Sequence, residues 1–151
     1  MEAEEDETGR RIVSVVHIAM LSAIPLYAVI LWLLRGRAGL SGPASARPGF
    51  ALVLLAVGAA EWGLASLLGR AMLRSAGPGA GVVLRVRRYF LIRFAAGEAM
   101  AVFGLFAGFT GGTFRDVAVL LAASALALLA STPTRAAYAA AFEETRAGGR
   151  R

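Results

Sequence analysis

Ile12–Leu34, IVSVVHIAMLSAIPLYAVILWLL, runs 23 residues without a formally charged side chain. At 1.5 Å of helical rise per residue it reaches about 34 Å, enough to cross a hydrocarbon core of about 30 Å. Three further stretches repeat the pattern. Phe50–Gly69 is interrupted only by Glu61, and Tyr89–Phe109 only by Arg93 and Glu98. Val117 to about Thr134 is an Ala/Leu run with Arg115 and Asp116 just before it and Pro133 near its end, where a helix tends to stop. Apolar residues surround these segments instead of forming one stripe, and a β-strand would need only about ten residues to cross, so helices are expected and a β-barrel is not. The expected fold is all-α and membrane-integral, with four transmembrane helices packed as a bundle of two antiparallel hairpins.

The rest of the chain fits around that domain, which spans 12–134. Residues 1–11 form an acidic tail and 135–151 a basic one. Residues 35–49 carry Pro43 and Pro48, and 75–81 read Ser-Ala-Gly-Pro-Gly-Ala-Gly, both expected as turns. Val82–Arg88 alternates apolar and basic residues, as at a helix base in the headgroup layer, and Ala136–Glu144 has the composition of a short helix. Ala44-Ser45-Ala46 resembles a signal cleavage site, but the apolar run before it is too long and the leading residues are acidic, so the first span is expected to stay as an anchor.

Composition removes several function classes. The 151 residues are 58% hydrophobic, contain no Cys and one His, and so offer no thiolate site, no disulfide framework and no histidine cluster for metal or haem. An enzyme, a metal and a cofactor are not expected. The sixteen basic residues are all Arg. Eleven fall at the N-terminus, the second loop and the C-terminus, and Arg35, Arg37, Arg47 and Arg115 fall on the other side, with Arg93 just inside the first group. The positive-inside rule then puts both termini in the cytoplasm. The net charge of +6 reads as topology and contact with anionic lipid headgroups. No basic surface interleaved with aromatics points to nucleic acid.

Glu61 and Glu98 are the only acids inside spans. Glu61 lies nine residues before Arg70 and Glu98 ten after Arg88, so both sit roughly 13–15 Å from the same boundary. Their helices are consecutive and antiparallel, which allows the carboxyls to approach one another. An ionised side chain at mid-membrane costs about 2.5–3.5 kcal/mol on insertion scales, so protonation is favoured. A shared proton, or a bound monovalent cation, is one use for such groups. The other is structural, because polar groups join helices to each other or to another subunit in lipid.

Gly104, Gly108 and Gly112 recur every four residues, with Gly97 and Ala101 extending nearly the same face, a seam of small residues that suits close helix packing. His17, without a visible partner, reads as a secondary polar residue that hydrogen-bonds another helix more readily than it relays protons. Pro25 is expected to kink the first span, and Tyr27 offers a hydroxyl. Arg93 is expected to snorkel toward the headgroups and lies about 140° around its helix from Glu98, too far for a pair. Trp32 and Tyr89 read as interface anchors, whereas Trp62 lies deeper.

Ala95-Ala96-Gly97-Glu98-Ala99-Met100-Ala101-Val102-Phe103-Gly104-Leu105 resembles the carboxylate helix of rotary ATPase proteolipid (c-type) subunits. The resemblance implies a protonatable role for Glu98. The glycine ladder of the first proteolipid helix is absent from Ile12–Leu34, and the carboxylates fall on the second and third spans. The whole chain also resembles small bacterial four-span proteins with a Pro-Arg-like ending, here Pro133-Thr134-Arg135. With the arginine bias, this implies a multi-pass protein of the bacterial inner membrane.

The sequence therefore points to a non-catalytic structural or accessory subunit of a larger membrane complex, with lipids and other subunits, or copies of itself, as partners. The alternative is proton or cation translocation through Glu61 and Glu98. A small multidrug-type exporter is a third reading, weakened because such proteins centre their carboxylate on the first helix.

Overall fold

The computed structural model describes residues 2–38, 49–74 and 81–148. Most of the two expected turn segments, including Pro43, Ala44-Ser45-Ala46, Arg47 and Pro48, lies outside these residues. Five helices follow in order: α1 (Glu2–Ala38), α2 (Phe50–Arg74), α3 (Val82–Phe109), α4 (Phe114–Ala130) and α5 (Arg135–Gly148). The fold is all-α, with no strand among the described residues. Glu7–Leu34, Phe50–Arg74 and Val82–Phe109 are long and apolar enough to cross a membrane. A fourth crossing requires α4 and α5, bent by 65° at the break between them, to count as one span.

Local chemistry explains the boundaries. The acidic start of the chain continues into α1, where Glu7 pairs with Arg10 at 2.9 Å and with Arg11 at 3.6 Å across one helical turn. Pro25 lies within α1 without ending it. Gly111, at φ 86°, makes the turn after α3 in a conformation that favours glycine. Thr113 then opens α4 with a capping box: its hydroxyl accepts from the Asp116 N–H, and the Asp116 carboxylate accepts from its own N–H.

The end of α4 departs from the expected span to Thr134. The helix stops at Ala130 after 17 residues, about 25 Å, because Pro133 disfavours a helical residue before it and lacks an N–H to continue the ladder. Thr134 restarts the chain by capping α5, its hydroxyl accepting from the Ala137 N–H at 3.1 Å.

α3 is the central element and packs against each of the other four helices. α2 lies on one side, where a Cβ at Gly58 would stand 2.6 Å from Met100 and one at Gly69 2.7 Å from Tyr89. α4 lies in front, with Leu128 against Gly97 and Leu120 and Leu121 against Gly104. α1 lies on the far side, bringing His17 to Phe94 and Leu31 to Gly108. Buried Phe90, Leu73, Val13 and Val86 lie at the end that carries the N-terminus and α5, termed here the basic end, and Phe94, Leu128 and Leu120 continue the core along α3 and α4. There Tyr138 of α5 stacks on Phe90 at 5.8 Å, and Arg74 donates to Glu144 at 2.6 Å, fastening α5 to α3 and α2.

Candidate functional site

The helix register decides how the two carboxyls relate. α2 and α3 run antiparallel with Gly58 opposite Met100 and Gly69 opposite Tyr89, which puts Glu61 and Glu98 at one level, within about one residue rise. They are not brought together. Met100 faces α2, and Glu98, two residues earlier, projects about 160° away around α3. The approach allowed by sequence spacing fails because depth follows from counting residues, whereas direction follows from which face each helix offers the other.

Glu98 turns toward α1. The Tyr27 hydroxyl donates to its Oε1 at 2.9 Å, and the carboxyl lies half-buried in a groove with Met20, Ala95, Ala99, Val102 and Phe103. Among the described residues, the Tyr27 hydroxyl is the one polar group supplied to it in otherwise apolar surroundings. Glu61, by contrast, is exposed on α2, which buries only Gly58, Ala65, Gly69 and Leu73. No hydrogen bond or ion pair engages it among the described residues.

The glycine seam divides. Gly97 and Gly104 receive α4, with Ala101 fully buried between them, while Gly108 receives Leu31 of α1. The expected continuation through Gly112 stops because α3 ends at Phe109; Gly112 instead folds back, its N–H donating to the Ala107 carbonyl at 2.7 Å.

A second polar cluster surrounds the end of α4. Its last carbonyls cannot find partners within the helix, and each is met from elsewhere. The Ser131 hydroxyl donates to Ala127 O at 2.8 Å, and Thr132 donates to Leu129 O at 2.6 Å. His17, only 5% exposed, donates through Nε2 to Leu128 O at 2.9 Å; a carbonyl only accepts, so that nitrogen carries the proton. Arg93 reaches Ala130 O with Nη2 at 3.4 Å and Tyr89 Oη with Nη1 at 2.9 Å. Its guanidinium lies 5.5 Å from the centres of both the Trp62 and Tyr89 rings. Trp62, in turn, donates to Ser131 Oγ at 3.3 Å. Arg93 thus leans toward the basic end, away from Glu98, and places its positive charge at the negative end of the α4 dipole. Sequence reasoning treated His17, Arg93 and Trp62 one at a time. The signal that joins them was the polar run Ser131-Thr132-Pro133-Thr134 at the end of the shortest apolar stretch.

No group of three or more His, Cys, Asp or Glu side chains that could hold a metal occurs among the described residues. No protein-family model matches the chain, and neither a curated protein nor a solved structure does.

Proposed function

We propose that the chain is a four-span protein of a bacterial inner membrane, with both termini cytoplasmic, and that it serves as a non-catalytic subunit of a membrane assembly. The observation that carries this reading is Glu61, exposed at the middle of α2 with no partner in its own chain among the described residues. A carboxyl there meets lipid when the chain is alone, and a helix from another subunit relieves that exposure. Counting α4 with its bent continuation as the fourth span agrees with the capping of its carbonyls by His17, Arg93 and Ser131, because helix ends in hydrocarbon persist only where protein satisfies them. Native mass spectrometry after mild extraction tests the reading. Retained protein subunits support it, and their loss in Glu61→Leu ties the assembly to this residue. A bare monomer, unchanged by that substitution, overturns it.

A second reading rests on the bond from Tyr27 to Glu98, which gives one carboxyl in an apolar groove a fixed donor. There Glu98 takes up and releases a proton or monovalent cation. Liposomes holding only this protein should then carry an ion-gradient-driven flux that Glu98→Gln abolishes.

A further inference from the structure

Glu61 and Glu98 share a level and border one uncovered face from opposite sides. On α3, Ala95, Ala99, Val102 and Phe106 succeed one another at helical spacing and form one stripe. Ala95, Val102 and Phe106 are exposed and Ala99 is half-buried. The stripe lies about half a turn around α3 from Gly97 and Gly104, where α4 packs. Glu98 borders it on the α1 side, in the groove that Met20 shares with Ala95 and Ala99. Glu61 borders it on the α2 side: Phe50 lies three helical turns from Glu61 on the same side of α2, and its ring meets Phe106 at 6.2 Å.

We propose that this face binds a second copy of the chain about a two-fold axis, so that Glu61 of each copy hydrogen-bonds Glu98 of the other through a shared proton. The proposal rests on the assembly reading and names its partner. Copies inserted under one arginine bias run parallel, so a two-fold axis relating them lies along the membrane normal. Rotation about that axis preserves depth and exchanges the two shoulders of the face. The α1 shoulder of one copy then meets the α2 shoulder of the other, and carboxyls at one level on opposite shoulders become neighbours. Unequal depth would have forbidden this, and the register of Gly58 on Met100 and Gly69 on Tyr89 supplies equal depth. Ala95 and Ala99, four residues apart near the axis, permit the two α3 helices to approach closely.

The chemistry is self-complementary. A protonated carboxyl donates its O–H to a carboxylate, which accepts through a free lone pair. Glu98 Oε1 accepts from Tyr27, leaving Oε2 for Glu61 of the other copy. Two such pairs form per dimer, each replacing a lipid-exposed Glu61 with a satisfied one.

The absence of cysteine makes single-cysteine variants clean reporters. Ala99→Cys and Val102→Cys keep both carboxyls and should each cross-link to themselves in liposomes. Glu61→Cys and Glu98→Cys should not cross-link alone, but should form a mixed dimer when co-expressed. Native spectra should carry two copies, and the double variant Glu61→Gln/Glu98→Gln should weaken the dimer at least tenfold. If Ala99→Cys and Val102→Cys stay uncross-linked while native spectra retain a different subunit, the dimer is wrong and the assembly reading stands. A bare monomer with no cross-links overturns both. Cross-links between Glu61→Cys and Glu98→Cys without self-cross-links at Ala99 and Val102 indicate a ring, and overturn the two-fold arrangement.

Discussion

The Tyr27 hydroxyl donates to Glu98 Oε1 at 2.9 Å, a bond that joins α1 to α3 across 71 residues of sequence. It fixes the rotation of both helices at mid-span, because Tyr27 reaches the carboxyl only from one face of α1. Replacing Tyr27 by Phe removes the donor and keeps the ring. Interhelical bonds in membrane proteins contribute about 0.6 kcal/mol on average and up to about 1.7, so Tyr27→Phe should lower the thermal midpoint in detergent by a few degrees. It should also move the infrared carboxyl band assigned to Glu98 by its loss in Glu98→Gln. An unmoved band would show that the two groups do not touch.

Gly108 tests the contact with α1. A Cβ there would stand 2.6 Å from Leu31 Cδ2, the tip of a flexible side chain, so Gly108→Ala should be mild and Gly108→Leu severe, by roughly 1–3 kcal/mol. Leu31→Ala should recover part of the loss in Gly108→Leu, since it vacates the volume the new side chain needs. Leu126, 67% exposed, is the control. Leu121, 8% exposed and packed against Gly104, cannot serve as a lipid-facing control.

His17→Gln keeps a donor within reach of Leu128 O, whereas His17→Ala removes both the donor and the ring packed 4.9 Å from Phe94. His17→Ala should cost about 1–3 kcal/mol and His17→Gln less than half of that, read from reversible unfolding in mixed micelles. Equal losses would show that packing, not the bond, accounts for the effect.

Arg93→Lys retains charge but not the planar fork that spans Tyr89 Oη and Ala130 O. In a Trp32→Phe background, emission reports Trp62 alone. Arg93→Met should shift that emission and lower stability, and Arg93→Lys should recover the stability only in part. Identical emission in all three chains would remove the stacking contact from consideration.

The arginine bias predicts that reporters fused after Arg74 and at the C-terminus are cytoplasmic and that one inserted between Arg37 and Arg47 is external. A C-terminal reporter active only outside would reverse the orientation.

The long apolar helices over Ile12–Leu34, Phe50–Gly69 and Tyr89–Phe109 were legible because a run of bilayer length carrying at most two charges admits few other structures. The equal depth of Glu61 and Glu98 was legible too, since rise per residue is fixed. Their directions were not. Direction depends on Gly58 and Gly69 admitting Met100 and Tyr89, a choice among several small-residue faces that α2 presents equally well in sequence. That α4 ends near Pro133 was legible, but the partners of its last carbonyls were only partly so: Ser131 and Thr132 lie beside them, whereas Arg93 and His17 are remote in sequence. Arg93 stands 37 residues before Ala130, and His17 111 before Leu128. Composition alone could not mark Leu121 as interior, because α4 has almost no polar residue along its length to show which side is outside.

The bond between His17 and Leu128 also sets an order of events during biosynthesis. The first span emerges with an imidazole N–H whose acceptor is not made until 111 residues later. At about 5–20 residues per second, that interval is on the order of ten seconds. On the four-span reading proposed above, α1 lacks this acceptor throughout that interval at about a quarter of the bilayer's depth, where an unpaired donor is disfavoured. On the four-span reading, the hydrogen bonding of α1 is therefore completed only when the last helix of the bundle has been made.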